Sequence, residues 1–190
     1  MITPEYAGEM QRQHMANKNW GGSTNKYGSG DIFGLASRPY ITTVLDYGCG
    51  KGELSNYLAE HPCGVTVTEY DPGIPGKDTP PKGRFDLVIT CDVLEHVERE
   101  YTEQTLQALW DHTQYVMYNN IACAPDLHTF AQGPYKGQDR HLVQRPGEWW
   151  RQKFDDIADP KMSLMEYRQI ERRHKTGLRE RCVMIHEGVG

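Results

Sequence analysis

A chain of 190 residues is long enough for one α/β domain with a sizeable core. Its net charge of −5 and pI of about 5.9 argue against broad binding to nucleic-acid phosphates, which normally needs a basic face. No apolar run approaches the roughly 20 residues of a membrane span, and the five cysteines are scattered without metal-ligand spacing. The amino end lacks the apolar segment of a signal peptide. We therefore expect a single cytoplasmic domain over residues 1–190, with free thiols and no metal.

The chain begins with a predicted polar helix over residues 4–17. Tyr6, Met10 and His14 recur in it at four-residue steps, which places them on one face of the helix. A short second helix is predicted over residues 31–37, directly before the first strand.

A glycine-rich segment, residues 17–30, separates these two helices and carries two aromatic side chains, Trp20 and Tyr27. It is interpreted either as a lid that closes over bound ligands, with one of the aromatics as apolar cover, or as a linker whose aromatics dock on the core. Residues 1–40 are thus predicted to form an N-terminal helix and lid.

The glycine turn after the first strand is the most specific motif of the sequence. The strand ends at Asp46, and Gly48, Gly50 and Gly52 then alternate with other residues before a predicted helix. Glycine tolerates a positive φ and a ligand pressed against the backbone, and the amino end of the helix suits an anionic or strongly polar ligand. The dinucleotide fingerprint G-x-G-x-x-G does not fit, because its third glycine would fall at Glu53.

The second predicted strand, residues 64–71, ends in an acid. A carboxylate at that position can accept both hydroxyls of a ribose, because its two oxygens match a vicinal diol. Asp71 follows Gly52 by 19 residues, near the expected offset of about 20. Glu69 is the alternative acid on the same strand.

A third predicted strand continues into a second motif, Phe85-Asp-Leu-Val followed by Asp92-Val-Leu-Glu-His-Val97. Together with Asp46-x-Gly48-x-Gly50-x-Gly52, it resembles the class I S-adenosylmethionine (SAM) methyltransferases over residues 41–121. The resemblance implies a Rossmann-like, doubly wound α/β fold. Its mostly parallel seven-stranded sheet would end in an antiparallel hairpin, and residues 72–83 leave room for only a shortened third strand.

The resemblance also implies SAM as the cofactor, S-adenosylhomocysteine as its product, and no metal. The candidate cofactor-binding residues are Asp46, Gly48, Cys49, Gly50, Gly52, Asp71, Asp92, Tyr27 and Asp78. Asp78 lies in a proline-rich stretch that is equally well interpreted as a plain linker. Asp86, in contrast, is expected to have a structural role.

The acceptor side is predicted beyond the strand over residues 115–121, because ligands of open parallel sheets bind at the carboxyl ends of strands. Asn119 and Asn120 are candidate substrate contacts there, with a turn-forming role as the alternative. Residues 122–146 form a long polar segment, interpreted as a substrate loop. Trp20 and Tyr135 complete the set of candidate substrate contacts.

Two histidines are candidate catalytic residues. His141 in the substrate loop is the first choice for a general base and His96 the second, because histidine exchanges a proton near neutral pH. A purely structural role remains the alternative for each of them.

The last segment, residues 147–190, is predicted to hold a helix and an antiparallel hairpin of residues 163–173 and 179–187. Lysine and arginine side chains cluster on this hairpin. Charge of this kind commonly protects an edge strand from pairing with other chains, which we favour over a nucleic-acid contact.

These features predict an enzyme that moves a methyl group from SAM to an O or N atom of a small molecule, such as a sugar, nucleotide or metabolite. The Asn/Asp-Pro-Pro-Tyr tetrapeptide and the Pro-Cys pair of DNA methyltransferases are absent. Methyl transfer to nucleic acid or protein is the first alternative, and a SAM-binding accessory protein without activity is the second. No membrane partner is expected.

Overall fold

The structure, a computed structural model, describes residues 2–17, 20–21, 29–61, 63–126, 128–157, 162–174 and 177–188. For residues 29, 172–174 and 177–178 it describes the backbone alone. None of the helices in these ranges is long and apolar enough to cross a membrane.

One sheet of six strands organises the described part of the chain, in the order β2-β1-β3-β4-β6-β5. The strands are β1 (Thr43–Tyr47), β2 (Thr66–Tyr70), β3 (Phe85–Cys91), β4 (Thr113–Ala122), β5 (Met162–His174) and β6 (Gly177–Gly188). The first four are parallel to one another, whereas β6 is antiparallel to both β4 and β5. Because β1 to β4 are parallel, their carboxyl ends meet at one edge, where ligands of such sheets bind.

Helices cover both faces of the sheet, as in a doubly wound fold. They are α1 (Pro4–Ala16), α2 (Ser29–Ala36), α3 (Glu53–Glu60), α4 (Thr102–His112) and α5 (Gly147–Ile157), with 3₁₀ turns at Leu94–His96 and Arg99–Tyr101. Leu106 of α4 and Trp150 of α5 pack in one apolar cluster against one face. Ile32 of α2 and Leu54 of α3 pack in a second cluster against the other. Burial on both faces explains why β3 is an almost continuous apolar run.

Asp86 ties the start of β1 to β3. Its Oδ2 accepts hydrogen bonds from the N–H of Thr42 at 2.8 Å, the N–H of Thr43 at 2.9 Å and the hydroxyl of Thr42 at 2.7 Å. Partial burial opposes ionisation, but these bonds outweigh it and lower the pKa of the Asp86 carboxyl. The structural role expected for this residue agrees with these contacts.

The sequence-based prediction of a Rossmann-like, mostly parallel sheet with a terminal antiparallel hairpin is confirmed. The count is six strands rather than seven within the described residues, because residues 72–83 form turns instead of a strand. Asp71 donates its N–H to the carbonyl of Lys77, and Lys77 donates to that of Ile74, which closes this short segment on itself. β2 is therefore left at the edge of the sheet.

Candidate active site

A cavity of about 280 Å³ opens at the carboxyl ends of β1, β2 and β3. Its lining comes from the glycine turn, the ends of the parallel strands and the residues after them, the amino-terminal segment, α4, the loop after β4, and β6. The residues used below that line it are Tyr6, Met10, His14, Trp20, Gly21, Tyr47, Gly48, Gly50, Tyr70, Asp71, Asp92, Val93, His96, Asp126, His141 and Arg181. Predicted cofactor residues and predicted catalytic histidines thus share one cavity.

The glycine turn is a tight bend whose geometry excludes side chains. Gly48, Gly50 and Gly52 have φ values of +80°, +53° and +84°, a region that side chains disfavour. A Cβ on Gly48 would collide with Val93, and one on Gly50 would collide with the carbonyl oxygen of Gly21. Close backbone approach, together with positive φ, therefore explains these glycines.

The backbone amides of the turn already have partners. Gly48 and Cys49 donate their N–H groups to the carbonyl of Tyr70 at 2.7 and 3.1 Å, and Lys51 donates to the carbonyl of Gly21 at 3.1 Å. The last bond joins the amino-terminal segment directly to the turn. Residues 20–21 therefore lie across the place where the sequence predicts a ligand.

Asp71 lies at the cavity wall and is almost fully buried. Its Oδ2 accepts the N–H of Gly50 and its Oδ1 accepts the N–H of Gly73, both at 2.9 Å. The Nε2 atom of His14 lies 3.9 Å from Oδ2 of Asp71. Burial lowers the pKa of His14, and this effect exceeds the opposing effect of the negative charge on Asp71. Glu69, the alternative acid, is instead paired with Lys77 at 2.9 Å.

Asp46 and Cys49 are buried residues at the glycine turn. Asp46 is buried, and burial followed by the charge of Glu69 raises the pKa of its carboxyl to about 7. The thiol of Cys49 contacts the carbonyl of Gly50, and burial raises its pKa above the ordinary value. Neither residue lines the cavity.

Asp92 ends β3 in an unusual backbone conformation. It is the one non-glycine residue with a positive φ, 55°, among those the structure describes. Its carboxylate pairs with Arg181, whose guanidinium also donates to Oδ1 of Asn120 at 3.1 Å. A non-glycine residue held in this region commonly marks a functional site.

Two imidazoles and an indole form the opposite wall of the cavity. The rings of His96 and His141 are 4.9 Å apart, and the ring of Trp20 lies 5.2 Å from that of His96. Nδ1 of His96 bonds to the carbonyl of Arg140 at 2.8 Å, and Nδ1 of His141 bonds to the carbonyl of Ala124 at 2.6 Å. A carbonyl only accepts, so each Nδ1 carries the proton and each Nε2 keeps a free lone pair.

Glu95 lies beside these imidazoles and is fully buried. Its Oε1 accepts the N–H of Ala122 at 2.9 Å, while Oε2 has no hydrogen-bond partner within the described residues. Burial, followed by the nearby charge of Asp92, raises the pKa of Glu95 well above its ordinary value. Burial followed by the neighbouring His141 lowers the pKa of His96 to about 4, so this imidazole is neutral at neutral pH.

Several predicted site residues lie away from the cavity. Asn119 and Asn120 are buried in the sheet: Asn119 accepts the hydroxyl of Thr90 at 2.8 Å and Asn120 accepts from Arg181. Neither amide lines the cavity, and their contact with a substrate stays a prediction. They fill hydrogen bonds inside the protein instead.

Tyr135, Asp78 and Gly52 also lie outside the cavity lining. The Tyr135 hydroxyl donates to Glu98 at 2.9 Å, and its ring packs on Tyr6. Its contact with a substrate stays a prediction. Asp78 is exposed and accepts the N–H of Gly76, which agrees with the linker interpretation. The remaining predicted residue, Tyr27, lies outside the described residues.

The sequence interpretation missed the contribution of the first helix. Tyr6, Met10 and His14 line the cavity from α1, and their four-residue spacing was the signal for one common face. Arg181 from β6 was missed as well, because no local pattern distinguishes it from the other basic residues of the hairpin.

The fold and the cavity define a Rossmann-like SAM methyltransferase class. A family model described as a methyltransferase domain matches residues 11–175, and the chain belongs to this family of class I SAM-dependent methyltransferases. A comparison with curated proteins finds no match.

Solved structures with the same fold cover nearly all of the chain. One is a 1,6-didemethyltoxoflavin-N1-methyltransferase from Burkholderia thailandensis with 1,6-didemethyltoxoflavin and S-adenosylhomocysteine bound. It has a TM-score of 0.64 and 16% identity, over 100% of this chain and 92% of the other. The N-methyltransferase NodS of Bradyrhizobium japonicum WM9, with S-adenosylhomocysteine, has a TM-score of 0.58 and 11% identity over 97% and 100%. The magnesium protoporphyrin IX methyltransferase of Synechocystis PCC 6803, with SAM, has a TM-score of 0.56 and 16% identity over 93% and 84%. At these identities the likeness is one of fold.

Proposed function

We propose that the protein transfers the methyl group of SAM to an O or N atom of a small-molecule acceptor, a sugar, nucleotide or metabolite. One observation carries the proposal: a single cavity joins the glycine turn at Gly48 and Gly50 to the imidazoles of His96 and His141. A cofactor end and an acceptor end are thus available within one enclosed space. The structural neighbours described above bind SAM or S-adenosylhomocysteine, and two of them are named for small substrates, which supports the same proposal.

At the cofactor end, Asp71 is proposed to accept the ribose hydroxyls. Each of its oxygens takes one backbone N–H, and a carboxylate oxygen has a second lone pair that stays available. Gly48 and Gly50 let a ligand approach the turn without a side chain in the way. Asp92, beside them at the end of β3, is proposed to complete this end of the site.

At the acceptor end, His141 is proposed as the general base and His96 as its neighbour in the same wall. SAM supplies the methyl carbon and a thioether leaving group. The acceptor atom forms its bond to that carbon as the carbon–sulfur bond breaks, and Nε2 of His141 takes the acceptor proton. Positioning contributes most, and a base adds roughly 10²- to 10⁴-fold.

The enclosure of the cavity favours a small acceptor. The cavity of about 280 Å³ is lined on one side by His14 and Trp20 from the amino-terminal segment and on another by the loop after β4. This volume is near the lower end for small-molecule sites, about 300–1,000 Å³. The net charge of −5 adds no attraction for nucleic acid.

The test is formation of S-adenosylhomocysteine from SAM with a panel of small hydroxyl and amine acceptors. Asp71→Asn, which keeps an oxygen for the Gly50 amide, should weaken SAM binding by about tenfold or more in calorimetry. His141→Ala should lower kcat by roughly 10²-fold or more while SAM affinity changes little. Asp111→Ala, on the exposed face of α4, is the matched control and should change neither.

Binding of SAM without product from any acceptor would favour the accessory-protein alternative. Salt-sensitive retention on nucleic acid would favour a nucleic-acid acceptor instead. Equal SAM affinity of Asp71→Asn and the unaltered protein would remove the ribose assignment.

A further inference from the structure

Three metal-ligating side chains converge at the inner wall of the cavity. One donor atom each from Glu95, His96 and His141 lies within 4.8 Å of the other two. The two histidines line the cavity, and Glu95 is buried beside them. We propose that Glu95, His96 and His141 form a binding site for one divalent first-row transition-metal ion.

Each of the two imidazoles already makes the second hydrogen bond that metal-ligating histidines typically make. In metal sites a histidine typically donates its other ring N–H to a carbonyl or carboxylate, which fixes the tautomer and the ring orientation. The Nδ1 atoms of His96 and His141 make such bonds to the carbonyls of Arg140 and Ala124. Nε2 of each ring is therefore left with a lone pair and no proton.

The third ligand residue, Glu95, has a buried oxygen that lacks a partner. Glu95 is 0% exposed, and its Oε2 makes no hydrogen bond to any residue the structure describes. The backbone N–H of Ala122 holds Oε1, so the carboxyl group is fixed in place. A buried carboxyl oxygen without a partner is unfavourable, and a metal cation that displaces the acid proton would satisfy it.

The neighbouring charges leave room for a cation. Arg181 is a cationic side chain whose charge acts on Glu95. Its guanidinium is paired with Asp92 and donates a hydrogen bond to Asn120. Asp92 and Asp126 both act on His96 as negative charges. Asp92 is already paired with Arg181, so Asp126 is the acid beyond the three ligands that favours positive charge at this wall.

The donor set selects the class of metal. Two imidazole nitrogens and one carboxylate oxygen suit Zn²⁺, Co²⁺, Fe²⁺ or Mn²⁺, whereas Mg²⁺ prefers oxygen ligands alone. In a tetrahedral site with bonds of roughly 2.0–2.1 Å the donors lie roughly 3.4 Å apart, so binding would draw the three groups closer. Three protein ligands leave a position open toward the cavity.

The open position would let the metal ion take part in the methyl transfer proposed above. This catalytic role rests on the proposed function, whereas metal binding itself does not. An acceptor hydroxyl bound to the ion would lose its proton to water more easily. Its oxygen would then bond to the methyl carbon as the carbon–sulfur bond breaks. In the metal-loaded protein His141 is a ligand, and coordination replaces it as the means of deprotonation.

This inference departs from the expectation of no metal, which rested on the lack of local Cys/His spacing. His96 and His141 are too far apart in sequence for such a pattern, and only the loop after β4 brings them together.

The test is calorimetric titration of chelator-stripped protein with Zn²⁺, Co²⁺, Mn²⁺ and Mg²⁺. We expect one transition-metal ion per chain, weaker Mg²⁺ binding, and a Co²⁺ absorption spectrum that reports nitrogen ligands. His141→Ala and Glu95→Gln should each weaken binding by more than about 100-fold, since the loss of second-shell partners alone costs about 10- to 100-fold. Glu95→Gln keeps an oxygen for the Ala122 amide, and His128→Ala, an exposed histidine of the same loop, is the matched control.

Absence of binding to the stripped protein, or equal binding by His141→Ala, would overturn the metal site. Formation of S-adenosylhomocysteine unaffected by the chelator would then leave the methyltransferase proposal standing. Stoichiometric metal binding with no transfer to any acceptor would instead support the site and contradict the proposed function.

Discussion

Gly50 is the residue on which the amino-terminal segment and the glycine turn meet. Its φ is +53°, and an added Cβ would lie 2.8 Å from the Cα of Gly21 and closer still to the Gly21 carbonyl oxygen. Gly50→Ala should therefore push residues 20–21 away from the turn. We expect a loss of about 1–2 kcal/mol in the free energy of unfolding from the backbone conformation, and SAM binding weaker by about tenfold or more in calorimetry.

Gly64 supplies the matched control for this change. It has a φ of +75° and nothing within 4 Å of an added Cβ, so Gly64→Ala carries the backbone strain without the collision. Both variants should lose similar stability in urea unfolding, and only Gly50→Ala should lose affinity. Equal SAM affinity in the two variants would show that contact with Gly21 is unimportant.

At the residue scale, local sequence rules predicted the place of some candidate residues and not of others. Gly48 and Gly50 lie in one short motif, and Asp71 directly follows a strand. Local sequence rules fix the positions of such residues, and all three line the cavity. Asn119 and Asn120 follow the same strand-end rule, yet bonds to Thr90 and Arg181 hold them inside the sheet. Those bonds depend on partners from other strands, which no local pattern reveals.

At the scale of elements, one buried acid, Glu98, helps to attach α1 to the rest of the molecule. Glu98 accepts the N–H of Thr3 at 2.7 Å, the hydroxyl of Thr3 at 2.9 Å and the hydroxyl of Tyr135 at 2.9 Å. Thr3 also caps α1 by accepting the N–H of Tyr6. Glu98 therefore joins the first helix, the segment after β3 and the loop after β4.

Glu98→Ala should loosen α1 without unfolding the sheet. The change leaves buried donors without an acceptor, at a cost of about 1–3 kcal/mol, and most of that cost falls on the contacts of α1. We expect faster hydrogen exchange over residues 4–16 and unchanged exchange in β3 and β4. Glu100→Ala, at an exposed acid two positions further on, should leave exchange in α1 as it was. Unchanged protection of α1 in Glu98→Ala would refute this role for Glu98.

The elements themselves were largely predictable from sequence. α3, β3 and β4 agree with the predictions within a few residues, because apolar periodicity and glycine or polar ends define them. Residues 72–83 were the exception in the sheet, where a shortened strand was allowed and turns are found. The docking of α1 on the cavity was not predicted, because Glu98 and Tyr135 lie far from it in sequence.

For the whole molecule, buried histidines make stability depend on pH. His186 on β6 is 2% exposed, stacks on Phe154 with ring centroids 5.2 Å apart, and has no hydrogen-bond partner on either ring nitrogen within the described residues. Burial lowers its pKa to about 4. In the unfolded chain the same imidazole takes up a proton near pH 6.5, so the unfolded state binds more protons between these values.

The contribution of His186 to stability is therefore complete above about pH 6.5 and falls as the pH is lowered toward 4. The free energy of unfolding of the unaltered protein should fall from pH 8 to pH 5.5. In His186→Leu, a change of similar volume, this fall should be smaller by about 1 kcal/mol. Urea unfolding at both pH values measures the difference. His128→Leu, at an exposed histidine, should keep the pH dependence of the unaltered protein. An identical pH dependence in His186→Leu would contradict the lowered pKa.

The hydrogen bond from Lys51 to the Gly21 carbonyl has a consequence for the timing of turnover. A ligand group that accepted the N–H of Lys51 would replace the Gly21 carbonyl as its partner. The net free energy of binding gained from this contact would therefore be smaller than that of the new hydrogen bond alone. The same exchange works in reverse when the spent cofactor leaves, because the segment recovers its own partner. This competition would lower the affinity for the ligand and speed the dissociation of the spent cofactor. Fast dissociation suits an enzyme that must release one cofactor molecule for every acceptor it modifies.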